Sequence, residues 1–196
     1  FSFHPVKSIT TGEGGAIITN SETYYKKLLL LRNQGMYKDE NGWNVMVMLG
    51  FNYRMTDIGA SLGISQLQKL ETFIAKRNEV ARWYGHVLNA VEGILTPTEL
   101  KGNISARHLY VIRVAHAHLR DRLARFLWRS GVGVNFHYPA VYSHPYYRSH
   151  GYKNIHLPKM EVYQRSCLTL PCYPGLTRAK VYAIGRHIER FIMRYR

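Results

Sequence analysis

The chain has 196 residues, enough for one large or two small domains, and 46% of them are hydrophobic, as expected of a protein with a real core. No apolar run reaches the length of a membrane-spanning helix and no signal peptide stands at the start, so a soluble, cytoplasmic protein without a membrane partner is expected. Lys and Arg outnumber Asp and Glu by 27 to 12, a formal charge of +15, which points to nucleic acid, a membrane surface or anionic substrates.

The first fifteen residues, Phe1-Ser2-Phe3-His4-Pro5-Val6-Lys7-Ser8-Ile9-Thr10-Thr11-Gly12-Glu13-Gly14-Gly15, organise the rest. The β-favouring run Ser8–Thr11 follows Lys7, and the glycines after it accept the positive φ of a tight turn. Ala16–Asn20 reads as a short buried strand. Lys7 is therefore expected on or beside a strand-turn-strand unit. A desolvated lysine can lose its proton and attack a carbonyl cofactor. On local physics alone, a surface lysine before a hairpin reads as well. The chain opens inside this motif with no initiator methionine, which reads as a fragment.

Residues 21–35 predict a helix, with Ser21 as N-cap, Glu22 in the first turn and Gly35 at the stop. Tyr24, Leu28 and Leu31 share a face expected to pack on the strand after Lys7. Residues 36–49 read as a loop. Thr56 caps a helix starting at Asp57, with Ile58, Leu62, Leu67, Leu70, Phe73 and Ile74 on one broad face. This helix continues, bent or broken, to Gly93. Gly59 occupies the N3 position, where Glu or Gln would close a capping box.

A domain boundary is expected between residues 77 and 78. Beyond it His108–Val114 reads as a strand and Leu119–Ser130 as a basic amphipathic helix stopped by Gly131. The arginines at 120, 122, 125 and 129 read as a solvated face. Val132–Tyr138 predicts a second strand, followed by an aromatic, polar loop to Tyr147. Leu168–Thr177 reads as a strand and turn feeding a closing helix over 179–195, with Thr177 as N-cap. Cys167 and Cys172 can pair, but two cysteines do not make a secreted scaffold. No CxxC or HxxxH pair has a matching second half, so no metal site is expected.

Ser2-Phe3-His4-Pro5-Val6-Lys7 followed by Thr11-Gly12-Glu13-Gly14-Gly15 resembles the Schiff-base lysine motif of the DegT/DnrJ/EryC1/StrS sugar aminotransferases. Three more segments share the resemblance: Gly50-Phe51-Asn52-Tyr53-Arg54 before the capped helix, Phe136–Tyr147, and Leu168–Thr177. The resemblance covers nearly all of this chain and only the C-terminal half or so of a family member. It implies an α/β fold, the PLP-dependent transferase fold type I. Residues 1–77 would be the end of the large PLP-binding domain and residues 78–196 the small C-terminal α+β domain. It implies pyridoxal phosphate as cofactor, Lys7 as its covalent anchor, Ser2 as a phosphate ligand, and Asn52 as a phosphate ligand to the neighbouring subunit of a homodimer with shared sites. Arg54, Asn135, His137, Tyr138 and Tyr142 would bind substrate. Tyr142 stands where the family often has histidine. The implied partners are an amino-acid donor, typically glutamate, and a nucleotide-linked keto-sugar, with UDP-4-keto-6-deoxy-N-acetylhexosamine the best match. The basic charge would steer the diphosphate. A truncated, inactive remnant and a basic nucleic-acid-binding module are the alternatives, the latter without a recognised binding motif.

Overall fold

A computed structural model describes residues 1–195. They divide into two compact units, Phe1–Leu70 and the residues from Glu71 onward.

In the first unit, α1 (Glu22–Arg32) starts where the Ser21 hydroxyl accepts the Tyr24 N–H. This satisfies one of the amides that a helix start leaves open. It ends through Gln34 and Gly35, both at positive φ, and the Gly35 N–H reaches back to Leu30 O. Residues 36–49 fold as a hairpin rather than the expected loop: β1 (Met36–Lys38) pairs antiparallel with β2 (Asn44–Met46). The turn is built by Asp39, whose carboxylate accepts the N–H groups of Asn41 and Trp43, with Gly42 at φ +83°. The Asp-Glu-Asn-Gly run carried that signal.

Gly35 and Gly50 then let two backbone segments cross. A Cβ on Gly35 would strike Met48 O, and one on Gly50 would strike Gly35 N. The crossing brings Asn52 opposite Asn33 in an isolated antiparallel bridge. Thr56 caps α2 (Asp57–Leu67) by accepting the Gly59 N–H at 3.1 Å. The chain breaks at Gln68-Lys69 before α3 (Leu70–Leu88).

Two expectations for this unit are corrected. Ala16–Asn20 is extended but forms no strand, and Ile17 and Ile18 are 71% and 76% exposed. No strand among the described residues pairs with it. Nor does α1 bury any residue, and it lies against β1 instead.

The hydrophobic core lies entirely in the second unit. The sheet runs β3 (Ile94–Leu95), β4 (Tyr110–Val114), β5 (Cys167–Leu170), all antiparallel, with Ile94 opposite Val114 and Tyr110 opposite Leu170. Against it pack α3, α4 (Ala117–Arg129) and α7 (Arg178–Tyr195) through Tyr84, Leu88, Leu123, Leu127 and Ile188, all essentially inaccessible to water. Full burial of one such side chain stabilises by roughly 1.5–3 kcal/mol. The Thr177 hydroxyl accepts the Lys180 N–H as α7 begins. Gly185 brings α7 close to α3, where a Cβ would sit 2.7 Å from Val87 Cγ2. Buried Arg77 donates to the carbonyls of Arg107, His108 and Cys172, fastening α3 to two loops.

Val132–Tyr138 is not a strand. It makes one bridge, Asn135 to Thr169, at the outer edge of β5. The Asn135 carboxamide accepts the next N–H, from Phe136, which ends the pairing there. A 3-10 turn (Val141–Ser143), the helical turn α5 (Pro145–Tyr147), a π turn (Arg148–Tyr152) and α6 (Pro158–Ser166) lead back into β5. Cys167 and Cys172 are free thiols. Burial pushes both above the usual thiol range.

Candidate active site

The lysine motif is a closed loop. Ser2 bridges Gly15 at its base, Phe3 N–H donates to Gly14 O, and Thr11 N–H donates to Phe3 O. Two hydroxyls brace the interior: Thr10 donates to Phe3 O and Thr11 to Glu13 O. Lys7 sits in a turn at the far end, its N–H on His4 O at 2.9 Å, and is half-buried. None of the described ion pairs uses its amine. The loop is a hydrogen-bonded mount for an amine that no described ion pair uses.

That mount rests on α2. Thr11, one of the few buried residues of this unit, meets the helix at Gly59 and Gly63. A Cβ on Gly63 would stand 2.9 Å from Thr11 Cγ2, and one on Gly59 would stand 3.6 Å from Thr11 O. At Gly59 the nearest neighbour of such a Cβ is the capping Thr56 hydroxyl at 3.3 Å, and the contact with Thr11 O is an ordinary one, so Gly63 is the tight seat. Sequence reasoning missed Thr11 and Gly63. Their signal was a glycine repeated four residues later on one helix face.

Asn52 is held by its backbone against Asn33, with Phe51 N–H on Leu31 O at 2.7 Å and Tyr53 N–H on Arg32 O at 3.0 Å. The Phe51 and Tyr53 rings stack at 4.8 Å, so the side chain between them faces the other way. Asn52 is exposed, and no described hydrogen bond takes its carboxamide. Arg54 gives one N–H to Asn33 Oδ1 at 2.9 Å, a partner the sequence did not disclose.

In the second unit two expected substrate residues, Asn135 and His137, converge on one strand residue, and a third, Tyr138, packs on His137. Thr169 exchanges backbone hydrogen bonds with Asn135 at 2.8 and 3.2 Å. Its hydroxyl meets His137 Nδ1 at 2.8 Å. Tyr163 donates to His137 O, and the Tyr138 ring stands edge-on to the His137 ring with centroids 4.6 Å apart. Tyr138 is 58% exposed, so its face is open to a ligand. Tyr142 stands apart in the 3-10 turn with its hydroxyl buried.

The chemistry of the first-unit set fits pyridoxal phosphate. An amine outside the described ion pairs suits an aldehyde, and the exposed Ser2 hydroxyl and Asn52 carboxamide are neutral donors for phosphate oxygens. Residues 1–189 match the DegT/DnrJ/EryC1/StrS aminotransferase family. This chain belongs to that family. It is 35% identical to an uncharacterized protein of Methanocaldococcus jannaschii over 98% of this chain and 53% of that one. It is likewise 35% identical to the UDP-4-amino-4,6-dideoxy-N-acetyl-beta-L-altrosamine transaminase of Campylobacter jejuni, over 88% of this chain and 46% of that protein. Among solved structures, PseC of Helicobacter pylori, an aminotransferase of pseudoaminic acid biosynthesis, superposes with a TM-score of 0.93 at 28% identity. That match covers 100% of this chain and 53% of that one. The PMP form of a sugar aminotransferase from Streptococcus pneumoniae superposes at 0.87 with 26% identity, covering 99% of this chain and 52% of that one. The fold is that of the sugar aminotransferases, and the chain spans about half the length of the relatives it matches.

Proposed function

We propose that this chain carries the lysine-bearing half of a PLP-dependent aminotransferase acting on a nucleotide-linked keto-sugar. The observation behind this reading is the closed Ser2–Gly15 loop, which holds Lys7, used by no described ion pair, on α2. Residues Phe1–Leu70 would be the end of a large cofactor domain, and the residues from Glu71 onward the small domain.

Pyridoxal phosphate, when bound, supplies an aldehyde that exchanges between amines and a ring that withdraws electrons from the adjacent C–H bond. Lys7 anchors it through Nζ. With the cofactor bound, Lys7 Nζ would be the group placed to take and return a proton as general base and acid. The Ser2 hydroxyl binds the phosphate of its own subunit, and Asn52 reaches the phosphate in a second copy of the chain. Arg54 faces anionic substrate groups, while Asn135, His137, Tyr138 and Tyr142 shape the sugar-nucleotide pocket. The amino donor is an amino acid, glutamate by family resemblance. A UDP-4-keto-6-deoxy-N-acetylhexosamine suits the likeness to the altrosamine transaminase.

The test is borohydride reduction of the purified chain with pyridoxal phosphate, then peptide mapping. The expected result is a stable pyridoxyl group on Lys7 that disappears in Lys7→Ala. Equal labelling of many lysines, or undiminished labelling of the variant, would refute the assignment.

One observation favours a second reading. Among the described residues, the hydrophobic core cluster includes none from the first unit. On that reading the chain is a truncated remnant without activity, and labelling would be scattered.

A further inference from the structure

The charge of this protein is unevenly placed. From Glu71 onward there are 20 Lys and Arg against 7 Asp and Glu, and in Phe1–Leu70 there are 7 against 5, so +13 of the +15 belongs to the second unit. Much of it lies on two helices that run side by side. Phe126 of α4 meets Phe191 and His187 of α7 at ring distances of 5.5 and 6.0 Å, and Arg122 lies over the Tyr195 ring at 4.2 Å. The pairing of early α4 with late α7 makes the two helices antiparallel. Their inner faces are committed to the core.

The outer faces present arginine. Arg122, Arg125 and Arg129 on α4 and Arg186, Arg190 and Arg194 on α7 are all exposed, and none of the described ion pairs uses any of them. Spacing of four residues puts the α7 arginines about 6 Å apart along the axis. Of the acids on the two helices, Asp121 is paired with Arg120 at 2.7 Å, and exposed Glu189 shares a shallow depression with Arg186, Arg190, Met193 and Arg194, where the three arginines outnumber it. Apolar groups are set among the arginines: Met193 is 74% exposed beside Arg190 and Arg194, in a shallow depression with Arg186, and Tyr195 is 37% exposed. Read one helix at a time, the α4 arginines are an ordinary solvated face. Paired with α7, they form one basic surface.

We propose that this α4–α7 face docks on an anionic phospholipid bilayer. Guanidinium groups bind phosphate in a fork geometry that ammonium lacks. Basic side chains at a lipid surface add attraction one by one, and exposed apolar groups between them enter the interface. No described helix is long and apolar enough to cross a membrane, so the contact is peripheral. Both helices commit one face to the core, and the exposed Met193 among the arginines suits a lipid interface better than a nucleic-acid groove. The proposal stands independently of the aminotransferase reading.

The test is cosedimentation of the purified chain with vesicles of phosphatidylcholine alone or containing about one-third phosphatidylglycerol. The expected result is salt-sensitive binding to the anionic vesicles only. The triple variant Arg186→Glu, Arg190→Glu, Arg194→Glu should weaken it by more than about tenfold. A control with equal charge change in the first unit, Lys27→Glu, Lys38→Glu, Lys69→Glu, should keep binding. Circular dichroism would establish that both variants fold. Equal binding to neutral vesicles, equal loss in the control, or tighter binding to duplex DNA than to anionic vesicles would overturn the proposal.

Discussion

At the scale of single residues, Thr11 and Gly63 matter as much to Lys7 as its own neighbours do. Gly63→Val forces branched carbon into the 2.9 Å gap to Thr11 Cγ2. Overpacking of this kind costs about 1–3 kcal/mol. The expected outcome is slower borohydride trapping at Lys7 with helical circular dichroism unchanged, and an unchanged trapping rate would show that the seat is irrelevant. Tyr110 offers a second test. Burial pushes its phenol up to about 12, since the charged form loses water between Tyr84 and the sheet. A raised folded value favours the native state below the ordinary phenol range near 10, and that contribution is lost as pH rises through about 12. Ellipticity should therefore collapse in that alkaline window, and Tyr110→Phe should widen the stable range. A midpoint unmoved by that substitution would place the transition elsewhere.

At the scale of elements, what could be read ahead was whatever local chemistry decides. The Ser21 and Thr56 caps, the Gly131 stop and the closing helix all follow from side chains within a few residues. Long-range pairing was not legible. Ala16–Asn20 is β-branched and still forms no strand, because a strand needs a neighbour and propensity alone does not supply one. Val132–Tyr138 fails differently, since its asparagine turns inward after a single bridge. The α3–α7 crossing was invisible because Gly185 reads as an ordinary helix glycine until Val87 is seen against it. Gly185→Leu should destabilise the second unit by about 1–3 kcal/mol in urea melts. A neutral result would mean that the helices slide apart freely.

At the scale of the whole molecule, burial and chemistry are separated. The described core belongs to the second unit and the lysine motif to the first, while the family match spans both, over residues 1–189. The lysine motif was legible because its residues are contiguous. The grouping of Asn135 and His137 on Thr169 was not, because it spans more than thirty positions. Limited proteolysis should cut first within residues 1–70, around exposed Ile17-Ile18 or Leu49, and leave the later residues as a resistant fragment. Early cleavage inside α4 or α7 would contradict this. The closed loop at Lys7 then has a further consequence. A loop on a weakly buried support is open to ordering by whatever binds it. Ligand present at a hundred times its dissociation constant adds about 2.7 kcal/mol to the bound form. For a unit with so few buried residues, that is folding energy, so a cofactor or second chain that grips this loop would steady it as well as react through it.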